Sequence, residues 1–325
     1  MDRRHVIKAG VAGTLSLWAA PLLEAAVVGR DPRSGPGLAG SQTSGARTNA
    51  GVRQLTDRIA VVDAGGSNVV ALSSSDGVTL VDSGAPGSGD RLMADLTGLG
   101  GNTRVQAVFN THYHLAQTGN NEVFAAAGAT IVAHNRTRQW MSVDHWLPDE
   151  NRYDKARPKG SWPTEAFFNT GSRTLGSERV DYGYLMVAHT AGDIYVYFRD
   201  ANVLAVGDVA SPVRDPELDY FTGAWIGGRA DALAKLLKLC DASTTIVPGF
   251  GPVMTRADLQ AERDLMKTIY DRAVDRIRQG DDAGDMLEAG VLKGLPRTWN
   301  DPRKFLYDVQ KGLWAHHNKL NPNVV

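Results

Sequence analysis

Between residues 58 and 82 three short apolar runs follow one another: Arg58-Ile-Ala-Val-Val62, Asn68-Val-Val-Ala-Leu72 and Val78-Thr-Leu-Val-Asp82. Turns rich in Gly, Ser and Asp separate them. Runs this short, bounded by turn formers, are strands rather than helices, and three in succession make a meander. Beyond residue 89 helix and strand patterns alternate. Helices are expected over 90–96, over 120–127 and from His134, with strands over 105–109 and 130–133 between them. Further strands are expected over 185–188, 194–198, 203–206 and 245–247. The helix over 256–279 carries the clearest signals. Thr255 can cap it with Asp258 three residues on, Leu259, Met266, Ile269, Ala273 and Ile277 form one apolar stripe, and Gly280 ends it. A meander followed by alternating strands and helices predicts sheets covered by helices.

The folded unit runs from residue 52 to 325, because what precedes it cannot pack. Residues 29–51 are rich in Gly, Ser and Arg, hold two prolines and show no apolar periodicity, the composition of a flexible linker. Ahead of them, in residues 1–28, Arg3, Arg4 and Lys8 precede an apolar run over 11–23 that is too short to span a bilayer. The arginine pair resembles a bacterial twin-arginine export signal. Asp2 and Val6 depart from its usual residues, and Ala25-Ala26 suits a cleavage site. A basic-hydrophobic Sec signal or a retained anchor is the alternative. The favoured expectation is a periplasmic or secreted protein with no stable membrane association after export.

Charge points to no macromolecular partner. Lys and Arg number 35 against 36 Asp and Glu, so nothing argues for nucleic acid or an anionic membrane. A small-molecule substrate is expected, and nothing in the sequence specifies an oligomeric state. The single cysteine, Cys240, excludes an intramolecular disulfide and a Cys-rich zinc site. Its apolar helical spacing after Leu233, Leu236 and Leu237 places it in the core.

The chemistry-bearing residues cluster at strand ends. His112 and His114 follow the strand over 105–109, and residues two apart in extended chain share a side, so both can face one ion. His189 follows a second strand and Asp208 a third, in loops where side chains from separate strands can meet. His134 opens a helix and suits capping or packing, Ser83 reads as a turn residue, and His316-His317 read as surface residues.

These segments together resemble the metallo-β-lactamase superfamily over nearly the whole mature domain. Leu80-Val-Asp82-Ser-Gly84 looks like its first motif, Thr111-His-Tyr-His114 opens the second, and His189-Thr-Ala-Gly-Asp193 looks like the third. Gly207-Asp208 and Val247-Pro-Gly-Phe-Gly-Pro-Val253 look like the fourth and fifth. The resemblance implies an α/β fold, a four-layer αββα sandwich with a metal cleft at one edge of the sheets. It implies His112, His114 and His189 as ligands of a first metal and Asp208 as a bridging carboxylate. It implies Asp82, with Gln117 beside it, bracing the ligands from behind. The second metal set is incomplete. Ala116 and Gln117 stand where the family has an Asp-His pair, and Phe250 stands where it has a His. Ala and Phe carry no donor atom, and a neutral amide is a poor zinc ligand. The family's Asp at position 116 also acts on the attacking water, a role with no obvious holder here.

One zinc ion per chain is therefore expected, with iron as the alternative, since two histidines plus Asp208 can form a facial triad for iron. Three neutral imidazoles with an open position make a catalytic zinc site. Asp208 can be a fourth ligand, which would close the site, or the general base; His145 is the reserve proton carrier. Tyr113, Trp146, Trp225 and Phe250 are expected to wall an apolar pocket. The leading expectation is an exported hydrolase of a small ester, lactone or amide. The rivals are a lyase, isomerase, dehydratase or iron oxygenase on the same scaffold, and a non-catalytic exported binding protein.

Overall fold

Strands that are apolar at every position need cover on both faces, and the sequence supplies several of them. The computed structural model describes residues 51–316; the expected export segment and all of the expected linker but Gly51 lie outside them. The chain lays down Val52–Gln54 (β1), Ile59–Asp63 (β2), Asn68–Ser74 (β3), Gly77–Val81 (β4), Val105–Phe109 (β5) and Thr130–His134 (β6). A separate hairpin, His145–Leu147 (β7) with Arg152–Asp154 (β8), precedes Glu165–Phe167 (β9). β1 to β6 and β9 form one sheet in that order, antiparallel through β4 and parallel beyond it. Thr170–Leu175 (β10), Glu178–Tyr184 (β11), Ile194–Phe198 (β12), Val203–Gly207 (β13) and Thr245–Pro248 (β14) form the second sheet.

The period-two alternation of strand side chains sorts these residues into three layers of core. Ile59, Val61, Val70, Leu72 and Phe109 meet Val180, Ile194, Val196, Phe198 and Val203 between the sheets. The alternate residues Ala60, Val62, Val69, Ala71 and Leu80 pack outward under helices Gly89–Gly98 (α1) and Asn121–Ala126 (α3), which precede and follow the single turn Leu115–Thr118 (α2). Tyr195, Tyr197, Leu204 and Val206 pack outward on the other side. There, after Asn135–Ser142 (α4), lie Ile226–Leu239 (α5), Arg256–Ile277 (α6), Ala283–Glu288 (α7) and Pro302–Ala315 (α8). Helix, sheet, sheet, helix is the four-layer sandwich that the sequence resemblance implied.

Most elements fall where the sequence put them, including the Thr255–Asp258 capping box of α6. His134 caps α4, its ring accepting the Arg136 N–H. Cys240 is buried at the end of α5.

Three readings need correction. The strand expected over 185–188 ends at Tyr184; its partner hairpin β10–β11 was missed, because Arg179 and Asp181 break the apolar pattern. Asp181, itself buried, accepts hydrogen bonds from Ser172, Arg179 and Arg199. Trp225 lines no cleft. It is buried at the start of α5, between Tyr270 and a stacked His316, which is therefore a packing residue rather than a free surface one. Trp146 is 47% exposed against Tyr153 on the β7–β8 hairpin, away from the cleft.

Candidate metal centre

The site is assembled at the ends of β4, β5 and β13 and in the loop between β11 and β12. At the end of β4 Asp82 takes a left-handed backbone (φ 67), which turns its carboxylate back toward the end of β5. Its Oδ1 accepts the Thr111 N–H at 2.7 Å and its Oδ2 the Thr111 hydroxyl at 2.8 Å. With that hydroxyl proton committed, Thr111 Oγ1 can only accept from His112 Nδ1, 3.0 Å away. The hydrogen-bond chain thus leaves the His112 Nε2 lone pair facing inward. Gly207 makes room for this arrangement: it has φ +55, and a Cβ there would press on the Thr111 side chain.

The other two histidines are oriented in the same way from behind. The His189 Nδ1–H donates to the Glu217 carbonyl at 2.9 Å, and the His114 Nε2–H to Asp219 at 3.3 Å. The inner nitrogens then converge. His189 Nε2 lies 3.2 Å from His112 Nε2 and 3.1 Å from His114 Nδ1, and the three rings are nearly perpendicular to one another. The segment 111–114 is a bend rather than extended chain, so the two histidines of the pair present different ring nitrogens.

Inner lone pairs this close repel unless a cation lies among them. Metal–nitrogen bonds of about 2.0–2.1 Å at tetrahedral angles separate neighbouring ligand atoms by about 3.3 Å. The donor set therefore fits one metal ion, with each imidazole's second nitrogen anchored as metal-ligating histidines require. Among the described residues these three are the group of His, Cys, Asp and Glu able to hold an ion together.

Burial sets the protonation of two of the three histidines. It pulls His112 well below the usual histidine range and His189 down to about 4. Burial also pulls on His114, but the Asp219 hydrogen bond and the charges of Glu217, Asp219 and Asp208 outweigh it and raise His114 to about 9. An ion binding at neutral pH competes with that one proton. Burial pushes Asp208 up to about 7. Its Oδ2 faces the triad, 3.9 Å from His112 and 3.7 Å from His189, while Oδ1 accepts from the Gln117 amide at 3.1 Å. Gly249 permits this placement, because a Cβ there would collide with Asp208 Oδ1.

The triad opens into a cleft of about 510 Å³ whose walls include Tyr113, Leu147, Asp219, Tyr220 and Phe250. Of the expected site residues, His112, His114, His189, Asp208, Gln117, Tyr113 and Phe250 come together here, with Asp82 behind His112. His145 does not join them: its ring stacks on Trp140, which in turn lies against Tyr113, so it stands one side chain behind the wall. Sequence reasoning missed Asp219, which also accepts a short hydrogen bond from Tyr113. It also missed Arg229, fully buried, which donates to the same Glu217 carbonyl as His189 and to Ser211. Asp219 directly precedes Tyr220 and Phe221 of the cleft wall, and no spacing rule ties Asp219 or Arg229 to a histidine.

Comparison with known proteins agrees with this architecture. A family model described as the metallo-beta-lactamase superfamily matches residues 62–277. A metallo-beta-lactamase type 2 of Bacillus cereus is 24% identical over 201 residues, 62% of this chain and 73% of that protein. Among solved structures, a metallo-beta-lactamase from Pontibacter korlensis superposes with a TM-score of 0.55 at 18% identity, over 66% of this chain and 98% of that one. A double mutant of the sec-alkyl sulfatase PisA1 superposes at 0.59 and 14% identity, over 85% of this chain and 52% of that one.

Proposed function

The chain belongs to the metallo-β-lactamase superfamily, and from that premise we propose that it is an exported hydrolase using a single zinc ion to cleave a small ester, lactone or amide. The observation that carries this reading is the convergence of three separately anchored imidazoles beside a half-buried carboxylate in an open cleft. Zinc held by His112, His114 and His189 would polarise a carbonyl and acidify a water. Asp208, half-buried and facing the triad through one oxygen, would serve as the general base that holds and returns a proton there. The Gln117 amide holds the other oxygen, so the carboxylate cannot rotate away. Leu147, Phe221 and Phe250 offer the apolar surface that a small acyl or aromatic group would cover.

Metal analysis joined to a turnover screen tests this reading. Purified mature protein is expected to hold about one zinc per chain, because Ala116 and Phe250 offer no donors, and to cleave some member of an ester, lactone and amide panel until chelated. Two tightly held ions would overturn the single-ion claim. Iron with oxygen consumption would move the protein to the oxygenases, and a metal-free protein without turnover would make it a binding protein.

The export route is proposed from the arginine pair. Replacing Arg3 and Arg4 by Lys is expected to strand the precursor in the cytoplasm, since the pathway reads the guanidinium pair. An unchanged periplasmic yield would assign the Sec route instead.

A further inference from the structure

The groups that aim the triad sit on a loop without regular structure. Residues 208–219 form neither helix nor strand, and Val213, Arg214 and Glu217 are exposed. Yet this loop supplies Asp208, the Glu217 carbonyl that orients His189 and the Asp219 carboxylate that orients His114. Its path has to be fixed from beneath. Arg229 on α5 lies there, fully buried. Its Nη1 donates to the Glu217 carbonyl at 3.1 Å and its Nη2 to the Ser211 hydroxyl at 2.7 Å. One side chain thus ties the loop to a helix on both sides of the exposed Val213 and Arg214. The Glu217 carbonyl has two lone pairs, one for Arg229 and one for the His189 Nδ1–H. The Ser211 hydroxyl donates in turn to the Asp208 carbonyl at 3.4 Å.

Stability alone does not call for a guanidinium at this place. Arg229 Nε is buried without a hydrogen-bond partner. Nη2 lies 3.9 Å from Glu262, but that carboxylate has a closer cation in Arg297 at 3.3 Å and also accepts the Ser211 N–H. Two cations crowd one carboxylate, an arrangement that an apolar side chain of similar size often betters. Asp208 and Asp193 also feel the Arg229 charge.

We infer that Arg229 is a positioning residue of the metal centre: by pinning Ser211 and the Glu217 carbonyl it holds the loop that aims His189 and Asp208 at one ion. It is no part of the cleft wall, so it acts through the ligands and not on a substrate. The inference rests on the single-ion reading of this site, not on the reaction run there.

The test strips the purified protein of metal and reloads it with zinc or with cobalt. Arg229→Met keeps the bulk of the side chain and removes its donors. Each partner keeps another bond: the Glu217 carbonyl from His189, Glu262 from Arg297, and Ser211 to Asp208. The metal-free variant should therefore melt close to the wild type. Zinc affinity, read by competition with a chromogenic chelator, should fall about 10- to 100-fold. The visible absorption of bound cobalt should change as its ligand geometry loosens. On the best ester of the panel, kcat at saturating zinc should fall with KM nearly unchanged. Arg229→Lys, which can reach one of the two acceptors, should recover part of the affinity, and it carries the comparison if Arg229→Met does not fold. An Arg229→Met protein with wild-type zinc affinity and cobalt absorption overturns the inference and leaves Arg229 to the fold alone. Affinity lost in the variant while neither protein cleaves an ester supports the inference and removes the hydrolytic reading instead. A wild type that takes up no metal overturns both.

Discussion

His189→Ala is expected to abolish metal uptake and turnover together while the protein stays folded. The imidazole is fully buried, and its Nε2 lies within 3.2 Å of the inner nitrogens of both His112 and His114. Without it two nitrogens and a carboxylate remain, too few donors to hold the ion in place. Loss of a ligand should cost more metal affinity than the about 10- to 100-fold typical of losing an outer hydrogen-bond partner. The fold loses little, because the Glu217 carbonyl freed by the substitution keeps its bond from Arg229. The remaining cost is a small cavity, on the order of 1–3 kcal/mol. The layers of core on either side of the sheets are untouched. Elemental analysis, thermal melting and the ester panel read the three effects separately. A variant that keeps full activity without metal would show that the chemistry lies outside this triad.

That the triad could be found at all from the sequence follows from where its members sit. His112 and His114 directly follow β5, His189 lies in the loop before β12, and Asp208 directly follows β13; strands buried on both faces are continuous apolar runs that are hard to miss. The strand that escaped, β11, carries Glu178, Arg179 and Asp181, which interrupt its apolar run although only Arg179 is exposed. Its period was masked by the ion pairs it makes. Trp225, expected on the pocket wall, was misread for a different reason. Tyr220 and Phe221 do line the cleft, but Trp225 turns into the helical core. There its ring lies where side chains on Gly227 and Gly228 would be, so these glycines make room for its packing. Asp219 and Arg229 were invisible because a residue recruited from behind a ligand is chosen by three-dimensional proximity. His114 and Asp219 are 105 positions apart, and only the fold brings them together.

The largest gain of a new property is expected from rebuilding the second metal set with Ala116→Asp, Gln117→His and Phe250→His. All three positions line the cleft beside Asp208, and Gln117 already reaches its Oδ1 at 3.1 Å. Replacing that amide with an imidazole frees the oxygen and puts a donor near it; the new carboxylate and the second imidazole complete a set around Asp208. Bound metal should rise from one ion per chain to two. If the present cleft were merely a damaged version of a two-ion site, every hydrolytic activity should rise with it. The geometry argues for the opposite on the best substrate the panel reveals. Phe250 is the platform under Arg214, so its loss frees the guanidinium. Asp208, now drawn toward a second ion, would face His112 and His189 less directly than it does at 3.9 and 3.7 Å. Turnover of the best substrate should therefore fall while weak, generic hydrolysis rises slightly. A triple variant that gains on both would show that the missing ligands are a simple defect and that Ala116, Gln117 and Phe250 do not shape this cleft for one kind of substrate.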